Sequence, residues 1–254
     1  VIDTVKRYEQ QMGYDAHPIG MTMQYPVADQ TQVNAPLFNS QADWISPGYD
    51  DAIFKDGPPP MMPGSPPSHW FADPPANDGA KVILSDTDHY SPMAADALWA
   101  WKSFVRGHNP LLYDLGIIAG VNSPDPAHAG RAAHASMGAP SYASLETARK
   151  ALGDTLRYAQ RMKLIAMTPQ GKLSSTGYTL ANTSEEYLVL QPSDTGESFD
   201  VTLAAGTYAV EWFSVNSRET QVADAVTVKR DERIRFTTPF AEVGPAVLYL
   251  RRVG

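Results

Sequence analysis

The sequence predicts two folds in succession: an α/β domain over residues 1–171 and a small antiparallel β-sandwich over residues 172–254. Three observations predict this. Helix and strand patterns alternate through the first part, the order of a parallel α/β sheet or barrel. From about Lys172 the pattern becomes short period-two strands with no helix signal between them. The acidic residues change at the same boundary. Residues 1–171 hold 15 Asp and only two Glu, Glu9 and Glu146, whereas residues 172–254 hold seven Glu and four Asp.

Val1, Val5, Tyr8 and Met12 recur at helical spacing, so residues 1–12 read as an amphipathic helix ended by Gly13. His17 to Gln24 (HPIGMTMQ) reads as a short buried strand, and Ala42 to Ser46 as another, stopped by Pro47-Gly48. Lys81 to Ser85 (KVILS) is the clearest strand. Met93, Ala97, Trp101 and Phe104 mark a helix over about 92–106 with Pro92 in its first turn. Leu111 to Tyr113 follows as a strand, and Ala148, Leu152, Ala159 and Met162 mark a helix over about 146–163. The connections 49–80 and 115–145 exceed the ~12–15 residues of an ordinary loop, so one of them is a candidate to line a ligand cleft. In the tail, TGYTLAN, EYLVLQ, ESFDVTL, TYAVEWF, TQVADAVTV, RIRFTT and AVLYLR are the strands of the sandwich. Tyr208, Val210 and Trp212 share one face of their strand, which assigns Trp212 to a core.

Composition narrows the function. Hydrophobic residues make up 43%, enough for a packed core, and the formal charge is −8. A net negative chain argues against general nucleic-acid binding and against docking on anionic membranes. With no Cys, disulfides, thiolate metal sites and cysteine nucleophiles are excluded. No apolar run approaches the ~18 residues of a membrane span. The chain opens on Val1 without a signal-peptide pattern, the look of a mature or truncated product.

The chemistry concentrates where KVILS runs into Asp86-Thr87-Asp88-His89-Tyr90. In parallel α/β sheets the C-terminal strand ends carry the site. Asp86 and Asp88 share a face if the backbone stays extended. Two carboxylates and an imidazole can do acid–base work, act as nucleophile or hold a cation. The plainer alternative has Asp86 capping a loop and His89 as a packed or exposed side chain. Gln24, Trp44, Trp70, Tyr90, His108 and Asn109 complete the candidate list, the aromatics because a ring face matches the apolar face of a sugar. Each aromatic could equally fill core; Trp101 reads as core and Trp99 as either. The spacing of Asp86, Asp88, His89 and His108 is generic, so no metal and no cofactor is assigned.

HPIGMTMQ, LFNSQADWISPG, KVILSDTDHY, WAWKSFVRGHNPLLYD and TLRYAQRMKLIAMTPQGKLSSTGYTLAN resemble the C-terminal half of bacterial apiosidase-like glycoside hydrolases. EYLVLQ, YAVEWF and AVLYLR resemble the β-sandwich that follows the barrel there, often labelled a collagen-binding domain of a collagenase. The resemblance implies about the last four units of a (β/α)8 barrel and a retaining pair of carboxylates. Asp88 matches the nucleophile position best and Asp86 second. The stretch that would carry the acid/base has no counterpart, so the expectation is a truncated form lacking that half. Carbohydrate is the implied partner, and a secreted or periplasmic location is implied. A half-barrel has unpaired edges, so a homo-oligomer or a missing N-terminal half is expected to complete it. The function expected is hydrolysis of a plant or microbial polysaccharide or glycoside. The alternatives are a non-catalytic carbohydrate-binding or structural fragment, or a metal-assisted hydrolase using the remnant cleft.

Overall fold

The computed structural model describes residues 1–22, 30–48, 69–87, 95–114 and 141–253. The chain divides into two compact units. The first comprises Val1–Asp73, Gly79–Ala95 and His108–Glu146; the second comprises Pro74–Asp78, Asp96–Gly107 and Thr147–Gly254.

The first unit contains helix α1 (Ile2–Met12), β1 (Gly20–Thr22), α2 (Gln30–Asn39), β2 (Trp44–Ser46), a short helix α3 (His69–Ala72), β3 (Val82–Asp86) and β4 (Asn109–Leu111). All four strands are parallel and lie in the order β1-β2-β3-β4. Each strand adds to the same edge, as in a singly wound barrel wall, whereas a doubly wound sheet reverses its order at a switch point.

Gly13 ends α1 as expected, with φ 68°, a left-handed conformation that costs glycine nothing. The orientation of α1 differs from its apolar stripe. No residue of the helix is buried; Val5, Tyr8 and Met12 are exposed, and the half-buried positions are Ile2, Lys6 and Glu9. The strand expected over 17–24 is a strand only from Gly20, and Gln24 lies outside the described residues. Side chains hold the backbone before it. Glu9 accepts the His17 N–H at 3.4 Å, Pro18 has none to give, and Asp43 accepts the Ile19 N–H at 2.9 Å. The strand expected over 111–113 begins two residues earlier, at Asn109, which pairs with Leu84, and it ends at Leu111, beyond which the Tyr113 N–H is taken by the Thr87 hydroxyl at 2.8 Å.

The second unit is built on a six-stranded antiparallel sheet in the order β10-β9-β12-β7-β6-β5, facing a two-stranded sheet β11-β8. The strands are β5 (Thr168–Pro169), β6 (Thr179–Asn182), β7 (Glu186–Gln191), β8 (Phe199–Leu203), β9 (Gly206–Ser214), β10 (Thr220–Val228), β11 (Glu232–Phe236) and β12 (Ala246–Arg252). Tyr187, Val189, Tyr208, Val210, Trp212, Leu248 and Leu250 share one core with Phe199, Val201, Leu203 and Phe236. Trp212 is 3% exposed and meets Phe199 and Phe236 at ring separations of 5.9 and 6.3 Å.

Two helices belong to this unit: α4 (Ala97–Val105) and, from Thr147 on, α5 (Glu146–Ala159). They pack on the opposite face of the large sheet. Trp101 of α4 and Tyr158 of α5 meet each other at 5.6 Å, and Phe213 of β9 at 5.6 and 6.0 Å. The middle of the sheet is therefore buried on both faces, and every residue of β7 is buried in consequence, whereas the edge strand β10 is largely exposed. The helix expected from about 92 starts at Ala97 instead. Asp96 caps it, accepting the Trp99 N–H at 2.6 Å. The helix expected to reach 163 ends at Ala159 and continues in turns.

Charged groups lock this layer. Arg161 grips Glu211 of β9 with two bonds of 2.9 and 2.7 Å, and the Tyr158 hydroxyl adds a third at 2.8 Å. Burial pushes the Glu211 carboxyl up, but the bonds from Arg161 and Tyr158 outweigh it and leave the group below its ordinary value. Burial raises Tyr158 well above a free phenol, with its bond to Glu211 adding to the effect. Arg218, left-handed at φ 59° in the β9–β10 turn, holds buried Asp154 of α5 at 2.8 and 2.9 Å.

Candidate functional site

Side chains alternate along a strand, so the parallel sheet has two distinct faces. Ile83 and Ile45 lie on one of them, in a core with Leu37 of α2 and with Ile2 of α1 and Met21 packed against it. Ser85 and Thr87 continue that face and are fully buried. The other face carries the alternate set. Register places Gly20, Trp44 and Val82 side by side, then Thr22 beside Ser46, Leu84 beside Asn109, and Asp86 beside Leu111. This face is the more open, with Val82 50% and Leu111 47% exposed.

Asp86 is the last residue of β3 and stands on the open face. Hydroxyls link the strands below it. The Thr22 hydroxyl donates to the Ser46 carbonyl at 3.4 Å, and the Ser46 hydroxyl donates to the Leu84 carbonyl at 3.3 Å. The backbone just beyond β3 is fixed too, through the Thr87 hydroxyl bonded to Tyr113. At the end of β2, the Asn34 amide brackets Gly48, accepting its N–H at 2.9 Å and donating to its carbonyl. The rim around Asp86 is thus held by side-chain bonds to backbone and not by the strand ladder alone. A carboxylate on such a rim can accept a hydrogen bond, exchange a proton or attack an electrophilic carbon.

The candidates separate by face and by strand end. Trp44 shares the open face with Asp86 but sits level with Val82, four residues before it, about 13 Å back at ~3.3 Å per residue. Its ring lies across Gly20, where a Cβ would come within 1.9 Å of the indole. Asn109, the first residue of β4, is on the open face, and its amide donates to the Ile83 carbonyl at 3.3 Å. His108 belongs to the covered face. It is 2% exposed, and its Nδ1 lies 2.7 Å from the Ser85 hydroxyl, tying the approach to β4 onto β3. Asp88, His89, Tyr90 and Gln24 lie outside the described residues. Trp70 falls within α3, and its side chain is likewise outside them. Among the described residues no group of three His, Asp or Glu side chains is arranged to hold a metal ion. No helix among them is long and apolar enough to cross a membrane.

No protein-family model matches the chain, and no curated protein matches it. Solved structures similar to it include a glycoside hydrolase (TM-score 0.44, 10% identity, 69% of this chain and 43% of that one). Another is a glycoside hydrolase of family 5 from Bacteroides vulgatus ATCC 8482 (TM-score 0.48, 10% identity, 69% and 42%). A third is a Paenibacillus polymyxa xyloglucanase of family 44 (TM-score 0.22, 18% identity, 32% and 17%). The chain therefore spans less than half the length of each. Likeness at this level is too slight to assign a family or an activity.

Proposed function

We propose that this is a glycoside-hydrolase-like protein that acts on the glycosidic bonds of a plant or microbial polysaccharide or glycoside, with its reacting carboxylate at the end of β3. The observation that supports the reading is the position of Asp86. It is an acid at the C-terminal end of a strand, on the open face of a singly wound parallel sheet, where such folds do their chemistry. The sequence resemblance assigns the nucleophile to Asp88, two residues on, with Asp86 second. In a retaining mechanism that carboxylate attacks the anomeric carbon as the glycosidic C–O bond breaks. In a complete retaining site an acid/base ~5–5.5 Å away would protonate the departing oxygen and then activate the water that frees the sugar. The resemblance places that group in the half without a counterpart here, so aryl glycosides, whose leaving group departs without protonation, are the substrates to test. Trp44 and Asn109 share the open face and would bind sugar at its base.

One observation favours a second reading, a carbohydrate-binding module without catalysis. Among the described residues, β1, β2 and β4 end in Thr22, Ser46 and Leu111, so Asp86 is the only carboxylate on a strand's last residue. Hydrolysis of aryl glycosides separates the two. On the first reading the chain hydrolyses at least one of a panel of aryl glycosides. Asp88→Asn abolishes turnover with an unchanged circular-dichroism spectrum, and Asp86→Asn lowers it strongly. Oligosaccharide binding without turnover of any aryl glycoside supports the second reading.

A further inference from the structure

The first unit has a second feature fit for a ligand, at the opposite end of the same sheet. Lys6, Glu9, Gln10, Tyr14, His17 and Asp43 line a cleft of about 570 Å³, within the ~300–1,000 Å³ usual for small-molecule sites. Asp43 directly precedes β2, and His17 and Pro18 lead into β1. The cleft therefore lies at the N-terminal strand ends, whereas Asp86 marks the C-terminal ends.

Its chemistry is specific in kind. Its lysine is already matched, with Lys6 Nζ 2.7 Å from Asp43, and the Glu9 carboxylate lies 2.8 Å from His17 Nδ1. Asp43 is held below the usual carboxylate range by the Ile19 N–H and by Lys6. A cleft whose lysine is already paired and which carries two carboxylates gives no purchase to a phosphate or a carboxylate. It still offers hydrogen bonds, because an ammonium has three donors and Asp43 is the one partner of Lys6 among the described residues. The Gln10 amide faces the cleft with its donor and acceptor unengaged among the described residues. Tyr14 supplies an aromatic surface. It is 55% exposed and held edge-to-face by Tyr8 at 6.2 Å. A held, exposed ring beside paired charges and an unengaged amide suits a neutral, polyhydroxylated ring.

We propose that this cleft is a binding site for neutral glycan, remote from the β3 end, which holds a polysaccharide chain without reacting with it. It stands apart from the reading of Asp86, and the two can fail separately. The test is amide chemical-shift mapping and titration of the full chain with cellohexaose, xylohexaose and hexagalacturonate. A neutral oligosaccharide is expected to shift the amides of Gln10, Tyr14 and His17. Tyr14→Ala should weaken it about tenfold, the loss of one aromatic platform. Tyr14→Phe should keep most of the affinity, and Asp86→Ala should leave it unchanged. Circular dichroism of Tyr14→Ala checks that the fold is intact, and Gln10→Ala, on an exposed helix position, provides a second probe with an expected weakening of several-fold. The proposal is overturned if no neutral hexasaccharide shifts these amides, if only hexagalacturonate does, or if Asp86→Ala abolishes the shifts.

Discussion

Replacing Trp212 by Ala tests how the second unit holds together. The indole sits between the two antiparallel sheets, 3% exposed, edge-on to Phe199 of β8 and to Phe236 of β11. Deleting a buried Trp costs ~3–5 kcal/mol through lost transfer energy and the cavity left behind. Each aromatic pair adds about 0.5–1.5 kcal/mol beyond burial, so the upper part of that range is expected here. Since a domain is stable by only ~5–15 kcal/mol, the second unit of Trp212→Ala should unfold at clearly lower urea. Far-ultraviolet circular dichroism is the suitable probe, because the substitution removes a fluorophore. Trp212→Phe should recover part of the loss. An unchanged urea midpoint would refute the reasoning, for it would mean the sheets are held by something other than this core. Unchanged melting with lost glycan binding would instead make Trp212 a sugar platform.

Two other substitutions probe the layers separately. Gly20→Ala should destabilise the first unit, because the new methyl would fall 1.9 Å from the Trp44 ring and force that indole off the sheet; a loss of about 1–3 kcal/mol is expected by urea titration. Glu211→Gln should destabilise the second unit by about 1–2 kcal/mol at pH 7, since it removes a charged partner of Arg161 and Tyr158. The carboxyl is lowered in the folded state, so its contribution is complete above its unfolded value of ~4.3 and fades as pH falls through the folded one. The gap between wild type and Glu211→Gln should therefore hold from pH 7 down to the unfolded value of ~4.3 and narrow as the pH falls further, and a gap that narrows between pH 7 and 5 instead would contradict the assignment.

Much of the architecture is legible in the residues. The strand Val82–Asp86 and the tail strands follow from unbroken apolar runs or clean alternation, and Gly13 announces the end of α1. The burial of Trp212 follows from its two like-sided neighbours. Other features depend on tertiary partners that no local pattern carries. Gln30–Asn39 forms a helix despite Pro36 and a polar sequence, and its Leu37 joins the core of the first unit. Trp101 was readable as core, but not that its core is shared with Phe213 of a distant strand. At the site, the strand end that carries Asp86 was visible in the sequence. The face taken by His108 was not, because it depends on the register that sets Ser85 beside Pro110. The cleft beside α1 was hidden for a similar reason. Periodicity marked Val1, Val5, Tyr8 and Met12 as the inward face, yet the helix meets its unit through Ile2, Lys6 and Glu9.

The central claim, a nucleophilic carboxylate at the end of β3, is tested most directly by covalent trapping. A 2-deoxy-2-fluoro glycosyl fluoride carries a leaving group that departs without protonation, so attack by the carboxylate does not need the acid partner. Incubation with gluco-, xylo- and manno-configured reagents, followed by peptide mass spectrometry, reads the result residue by residue. The account predicts one glycosyl ester on the peptide containing Asp86 and Asp88, at Asp88, and none in Asp88→Asn. Labelling of a carboxylate outside that peptide, or no labelling by any reagent, would contradict it.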